Sequence, residues 1–389
     1  MNRRAFLWNS AAAALSSGLL TGCAAARRPV SLVQPIRTAP DLSLLGSACG
    51  LPPVHVSESR VIRTVAGLRP YRPSGFVVRP EKIGNTLVVH NYGHGGGGIT
   101  LSWGTSKLAV DMGLPGHTGP VAVLGCGAVG LASARLAQEA GFAVTIYSKA
   151  LPPETTSNVA GGQWFPVFIS ERDKRTPLYN QQFLAASEFA YKRYQILPAQ
   201  RFGIRWMRNY FPSNDGFPET SYHGTDSPLR AMMPEFRDLG PNEHPFAGYK
   251  QARQLDTLLI EPPIYLAAML EAFMVAGGKI VVRELPDRAA IGQLPEKLVF
   301  NCTGLGSKAL FQDEELVPVK GQLTFLLPQP EIQYAVLAGD TYMVPRSDGI
   351  LLGGTHETGV WSLEPDLVKK REIIAKHAAF FDSFKACKA

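Results

Sequence analysis

The chain has few cysteines for its length, five in 389 residues, and none stands as Cys-x-x-Cys or at a metal-ligand spacing. A redox dithiol pair and a structural zinc site therefore have no support in the sequence. Dense Lys/Arg runs are missing beyond Arg27-Arg28, and the aromatic residues do not interleave with basic ones. Both absences argue against a nucleic-acid partner. The net charge of +7 is a mild basic excess, compatible with an anionic substrate but specifying none. No internal repeat is visible. The apolar run from Ala11 to Leu20 is too short to be read as a membrane span.

What the amino terminus does contain is an ordered set of export signals. Asn2-Arg3-Arg4-Ala5-Phe6-Leu7 resembles a twin-arginine motif, the apolar run follows, and Leu20-Thr21-Gly22-Cys23 matches a lipoprotein cleavage box. The expectation is that residues 1–22 are removed and Cys23 is lipidated. The protein is then exported folded, with its cofactor loaded beforehand, and anchored to the membrane on the periplasmic side. Residues 23–45, rich in Ala, Arg, Pro and Ser, read as a tether. Cys126 and Cys302 sit in apolar, strand-like contexts and read as buried thiols. Cys49 and Cys387 lie near opposite ends and could pair in an oxidising compartment.

A β-α-β unit stands near the first third of the chain. Val121 to Leu124 is a short buried strand, Val129 to Ala140 a helix, and Phe142 to Tyr147 a second strand. Between them Gly125, Gly127 and Gly130 form G-x-G-x-x-G in its required context. The first glycine permits the turn, the second lets the backbone approach a pyrophosphate, and the third lets helix pack on strand. Amides at the helix start, Ala128 among them, then face the phosphates. The second strand ends in Tyr147-Ser148-Lys149 with no acid for a ribose diol. This weighs against an NAD-dependent dehydrogenase.

Elsewhere residues 60–90 alternate apolar and polar groups as strands do. Helices are expected from about 100 to 112, 178 to 200, 261 to 276 and 366 to 381. Antiparallel strands are expected over 319–355. Four further segments carry chemistry. His90-Asn91-Tyr92-Gly93-His94-Gly95-Gly96-Gly97-Gly98-Ile99-Thr100 runs from a strand through glycines into a helix. Thr155-Thr156-Ser157, followed by Gly161-Gly162-Gln163-Trp164, combines hydroxyls with small residues, which suits a flat ring lying on backbone. Phe300-Asn301-Cys302-Thr303-Gly304 reads as a strand entering a tight turn. Val65 to Pro73 carries Arg69 and Arg72, and Tyr342-Met343-Val344-Pro345 precedes Gly353-Gly354.

These segments resemble the D-amino-acid oxidase family of FAD-dependent oxidoreductases. Residues 90–104 are similar to the family's flavin-contacting segment near its carboxyl end, yet here they precede the nucleotide glycines that open the chain in that family. The resemblance covers residues 60–113 and 119–385 in rotated order, with 200–250 matched only loosely. It implies a circular permutation.

The implied fold is α/β with an α+β substrate part: a Rossmann-type FAD-binding domain (90–165 and 251–310) with an antiparallel-sheet substrate domain (60–89, 166–250 and 311–385). The implied cofactor is FAD. Its contacts would come from Gly95, Gly96, Gly98, Ile99, Thr100, Gly125, Gly127, Ala128, Gly130, Thr155, Thr156, Ser157, Gly161, Gly162, Gln163 and Thr303. Arg69 takes the position that binds a substrate carboxylate in bidentate fashion, with Arg72 structural. Tyr342 takes the position of a second carboxylate contact.

The implied reaction is oxidation of an amino acid, a D-amino acid foremost, or a related amine, by hydride transfer to flavin N5. Oxygen, a quinone or a redox protein would take the electrons. A rival reading is a non-catalytic lipoprotein of the same fold that binds an amino acid or peptide. The family's lid tyrosine is replaced by Ala338, and the loop Leu337 to Asp340 is short; both put the substrate range in doubt. The permutation further places residues 45–60 near 382–389, which would bring Cys49 and Cys387 within range.

Overall fold

The computed structural model describes residues 47–219 and 221–387. The expected export signal, the lipidation box at Cys23 and the tether before Ser47 lie outside the described residues. In chain order the elements begin with β1 (Val61–Tyr71), β2 (Val77–Ile83), β3 (Thr86–Tyr92), α1 (Gly98–Gly113), β4 (Val121–Leu124), α2 (Ala128–Glu139) and β5 (Val144–Ser148). A helical and mixed region follows: α3 (Pro177–Ile196), α4 (Ala199–Phe202), β6 (Ile204–Ser213), β7 (Arg237–Leu239), β8 (Gln251–Ile260) and α5 (Pro262–Val275). The chain closes with β9 (Lys279–Val282), α6 (Arg288–Gly292), β10 (Leu298–Asn301), α7 (Gly306–Phe311), β11 (Val317–Leu326), β12 (Tyr334–Ala338), β13 (Thr341–Arg346), β14 (Gly349–Gly353), β15 (Glu357–Thr358) and α8 (Leu367–Asp382).

Local chemistry sets several boundaries. The Asp366 carboxylate accepts from the amides of Val368 and Lys369 and so starts α8. Thr176 caps α3 through the amide of Tyr179, with Pro177 at the first helical position. The single helix expected over 178–200 is two. Leu197 precedes Pro198, and the residue before proline is driven out of the helical region, so α3 ends and α4 restarts at Ala199.

Among the described residues the strands form two sheets. In the first, β3, β10, β4, β5 and β9 lie side by side and parallel, with β2 antiparallel at the β3 edge. Phe300 of β10 sits between Val89 and Val123, and all three are wholly buried. Strands covered on both faces read as continuous apolar runs, as Val121–Leu124 does. The second sheet runs β1-β11-β14-β13-β12-β6-β8-β7, with β15 on β11. It is antiparallel except where β12 pairs parallel with β6.

Two expectations need correction. Residues 60–89 were assigned together to the substrate domain, but only β1 joins the second sheet. β2 and β3 belong to the parallel sheet. Alternation identifies strands without saying which sheet receives them. The strands over 319–355 are antiparallel to one another, yet the sheet is mixed, because β12 meets a strand far away in sequence.

Helices α1 and α2 pack together against the parallel sheet, and α3 packs on α1. At the α1–α3 crossing a Cβ on Gly104 would stand 1.9 Å from the Ala186 carbonyl oxygen, so only glycine permits this approach. Cys49 and Cys387 form a disulfide with Cα atoms 5.5 Å apart across a sequence separation of 338, which ties the two ends of the described chain together. Cys126 and Cys302 are free and buried, as expected. Burial pushes both thiols up to about 12. No helix among the described residues is long and apolar enough to cross a membrane.

Candidate active site

A cavity of about 1620 Å³ opens where the parallel strands end. Its walls include residues that follow β3, β4, β5, β9 and β10 at their carboxyl ends, where open α/β sheets place their ligands. The cavity continues onto the second sheet at Arg69, Gly321 and Tyr342. It exceeds the roughly 300–1,000 Å³ of ordinary small-molecule clefts.

At one end the glycine loop turns from β4 into α2. Gly125 has φ +98°, and a Cβ there would stand 2.5 Å from the Cys302 carbonyl oxygen. Gly127 precedes α2, and Gly127 and Ala128 line the cavity. The Ala128 amide donates to Ser157 Oγ at 3.0 Å, so the hydroxyl of the following loop stands at the positive end of the helix. Gly130 does not line the cavity. A Cβ there would fall 2.0 Å from the Gly125 carbonyl oxygen, so its role is close packing of helix on loop and not contact with a ligand. Thr155, Thr156 and Thr303 line the cavity. Thr303 Oγ1 donates to Asn301 Oδ1, and the Asn301 amide donates to His90 Nδ1 and Ser307 Oγ, which locks the end of β10 to the end of β3.

Further along, Gly95, Gly96, Gly98 and Ile99 form a turn leading into α1, and all four face the cavity. Gly95 has φ +53°, and any side chain on it would strike the Phe168 carbonyl oxygen. The Gly96 amide donates to that same oxygen at 2.8 Å. Across the cavity lie Gly161, Gly162 and Gln163. The Gln163 side chain turns to Asn209, to which its Nε2 donates. Thr100 keeps its hydroxyl for the protein. It is buried and absent from the cavity wall, and its hydroxyl donates to the Gln163 carbonyl at 3.1 Å. Its hydroxyl joins the two glycine segments.

On the second sheet the two arginines of β1 and its following turn part ways. Arg72 is saturated: it pairs with Asp313 at 2.8 Å and Glu315 at 2.6 Å and donates to Ser74 and Gly75. Arg69 pairs with no carboxylate among the described residues. Among the described residues the guanidinium makes one hydrogen bond, a long 3.4 Å contact from Nη1 to the Thr355 carbonyl. The guanidinium lies flat over Gly321, where a Cβ would come within 2.3 Å of Nη1. Tyr342 lies likewise on Gly353, and no hydrogen bond among the described residues ties its hydroxyl. Gly353 pairs in register with both Tyr342 and Leu323, and Leu323 is two residues from Gly321 on β11. The two side chains therefore rest on neighbouring strands and face one cavity with their polar groups uncommitted. A half-buried cation without a counter-ion is costly unless a ligand supplies one.

A family model described as FAD dependent oxidoreductase matches residues 40–112 and 120–388. The chain belongs to this family of FAD-dependent oxidoreductases. A D-amino-acid oxidase of Rubrobacter xylanophilus is 30% identical over 263 residues, which is 66% of this chain and 76% of that protein. A D-amino-acid oxidase of Streptomyces coelicolor is 31% identical over 267 residues, 67% of this chain and 77% of that protein. Among solved structures, an L-proline dehydrogenase from P. horikoshii aligns with a TM-score of 0.52 at 16% identity, over 69% of this chain and 78% of that one. That likeness bears on the fold.

The cofactor of the family is FAD, and the cavity fits it. The glycine cradle and the start of α2 suit the pyrophosphate, and the facing glycine segments leave a flat slot for a ring. Four residues beyond the expected set belong to this site. Glu284, just past β9, lines the nucleotide end beside Lys149, its ion-pair partner at 3.1 Å. His356 lines the substrate end, its ring stacked on Phe168 at 4.2 Å. Burial and the Arg69 charge hold His356 down to about 4. His223 and Phe211 stack at 4.6 Å in the same cavity. A strand-end acid is a readable sequence signal. The histidines carried none, since their partners lie far away along the chain.

Proposed function

We propose that the protein oxidises an amino acid, most specifically a D-amino acid, with the substrate carboxylate on Arg69 and Tyr342. The observation that carries this reading is the uncommitted Arg69 guanidinium in an FAD-family cavity beside a fully satisfied Arg72. The planar fork meets a carboxylate through two charge-assisted bonds, and the Tyr342 hydroxyl adds a third. Bound FAD supplies a two-electron acceptor for the substrate α-hydrogen, with oxygen as the final acceptor. The chain's own part is orientation: the carboxylate is fixed at one end, so the α-carbon is presented to one face of the ring slot. No side chain is required as a base when the amine binds neutral. The hydrolysis that releases a 2-oxo acid and ammonia takes place in water.

The test is product analysis in air with a panel of D- and L-amino acids. The reading expects 2-oxo acid and peroxide in equal amounts, with D-substrates preferred. Oxo acid without peroxide would assign the electrons to a quinone or protein acceptor. No oxo acid from any amino acid would leave a binding protein that keeps the fold.

We further propose that the chain is a circular permutation of its relatives, exported by the twin-arginine route and anchored through Cys23. The permutation is supported by the two blocks of the family match, which break between residues 112 and 120. It is also supported by residues 93–96, 98–99 and 124–129 lining one cavity, and by the disulfide joining the ends of the described chain. The eight residues from Gly113 to Pro120 reach at most about 26–29 Å, which is ample between adjacent elements. Export and anchoring rest on the terminal sequence signals alone.

A further inference from the structure

The cavity has two polar poles, and they differ. Arg69 and Asp340 are the charges felt by His356, whereas Arg253 and Asp238 are those felt by His223. The Arg69 pole carries an uncommitted cation. The Arg253 pole is internally neutral: Arg253 grips Asp238 through Nε at 2.6 Å and Nη2 at 2.7 Å, and its Nη1 donates to the His223 carbonyl at 2.7 Å. The guanidinium also sits 4.2 Å over the Phe217 ring, which holds that side chain in place.

What this frame holds up is a set of aromatic surfaces. His223 stacks on Phe211 at 4.6 Å and approaches Phe165 at 6.0 Å and the edge of Phe217 at 5.9 Å; Phe165 and Phe211 meet at 5.5 Å. All four rings line the cavity that holds Arg69 and Tyr342. His223 Nδ1 is buried and has no hydrogen-bond partner among the described residues. Burial, reinforced by Arg253, holds the imidazole down to about 4, so it is neutral at physiological pH. A neutral ring presents an aromatic face and no charge to a ligand.

Resting on the amino-acid reading above, we propose that Phe165, Phe211, Phe217 and His223 form a side-chain subsite for a flat, uncharged aromatic group, so that the substrate class is an aromatic amino acid. The carboxylate is fixed at the Arg69 pole and the ring lies among these surfaces. Arg253 and Asp238 behind these rings are committed to each other and offer no free charge to an acidic or basic side chain.

The test is calorimetric titration of the FAD-loaded protein with carboxylates that cannot be oxidised at an α-amine: propionate, 3-phenylpropionate, indole-3-propionate, succinate and 6-aminohexanoate. Burying a phenyl ring gives an expected preference of roughly thirty-fold for phenylpropionate over propionate, with the indole at least as tight. Phe211→Ala and Phe217→Ala should each shrink that ratio by about tenfold; the wild-type ratio stands as a test by itself should either variant fail to fold. Equal affinity for propionate and phenylpropionate overturns the proposal. Tighter binding of succinate or 6-aminohexanoate, or variants that weaken all carboxylates equally, overturns it as well. Aromatic carboxylates that bind tightly, in a protein whose flavin no aromatic amino acid reduces, keep the subsite and overturn the oxidation reading.

Discussion

Arg69→Lys tests the substrate anchor at its most exposed assumption. The guanidinium rests on Gly321, both terminal nitrogens within 2.5 Å of where a Cβ would stand, and its only hydrogen-bond partner among the described residues is the Thr355 carbonyl at a long 3.4 Å. Almost all its bonding capacity is therefore held for a ligand. Removing one partner of a desolvated charged pair costs on the order of 2–5 kcal/mol. Lysine keeps the charge but loses the fork and the flat seat, so the lower end applies. About 2 kcal/mol corresponds to a roughly thirty-fold weaker substrate constant. Gly321→Ala should act in the same direction, since its Cβ would stand 2.3 Å from Arg69 Nη1 and lift the guanidinium. The assay is the rate of anaerobic flavin reduction against substrate concentration. Both variants should keep the flavin, because neither residue lies at the nucleotide end. An unchanged constant in Arg69→Lys with every reactive substrate would show that Arg69 does not hold the carboxylate.

Tyr342→Phe should cost less, about 0.5–1.5 kcal/mol, as loss of one hydrogen bond does; an unchanged constant removes the hydroxyl from the site. Gly127→Val should release FAD, since even a Cβ at this position stands 3.0 Å from Ser157 Oγ; the variant is expected to purify colourless and folded, and a yellow variant contradicts the cradle. Cys49→Ser should lower stability by about 2–5 kcal/mol, because the bridge closes a very long loop, and Cys387→Ser should match it with no further loss in the double variant. His223 and His356 are both held down to about 4 from an ordinary value of 6.5. The unfolded chain therefore binds protons that the folded one refuses between those limits. Stability should be full above about pH 6.5 and fall as pH drops towards 4; thermal unfolding over that range checks the slope. Cys23→Ser should move the protein from the membrane fraction to the soluble one, and a variant still in the pellet would point to another anchor.

How far the sequence alone reached depends on the range of the interactions involved. The β4-α2-β5 unit was legible because its signals are local: a buried run, three spaced glycines and a helical period. The separate roles of Arg69 and Arg72 were legible only through family resemblance, since both are arginines of one short segment. The carboxylates Asp313 and Glu315 that saturate Arg72 lie more than two hundred residues away. The sheet membership of β2 and β3 is not legible locally, because an extended pattern identifies a strand without saying which sheet it joins. Thr100 and Gly130 were placed at the ligand because their neighbours are there. Each in fact spends its contact on protein, Thr100 on the Gln163 carbonyl and Gly130 on the Gly125 carbonyl. His223 was invisible, since Phe165, Phe211 and Arg253 assemble around it only in three dimensions.

The most direct measurement is the visible absorption spectrum of the purified protein, recorded without oxygen before and after adding D-amino acids. The account predicts a flavin spectrum that bleaches on mixing with at least one of them, with recovery when air is admitted. A flavin spectrum that no D-amino acid bleaches would contradict it.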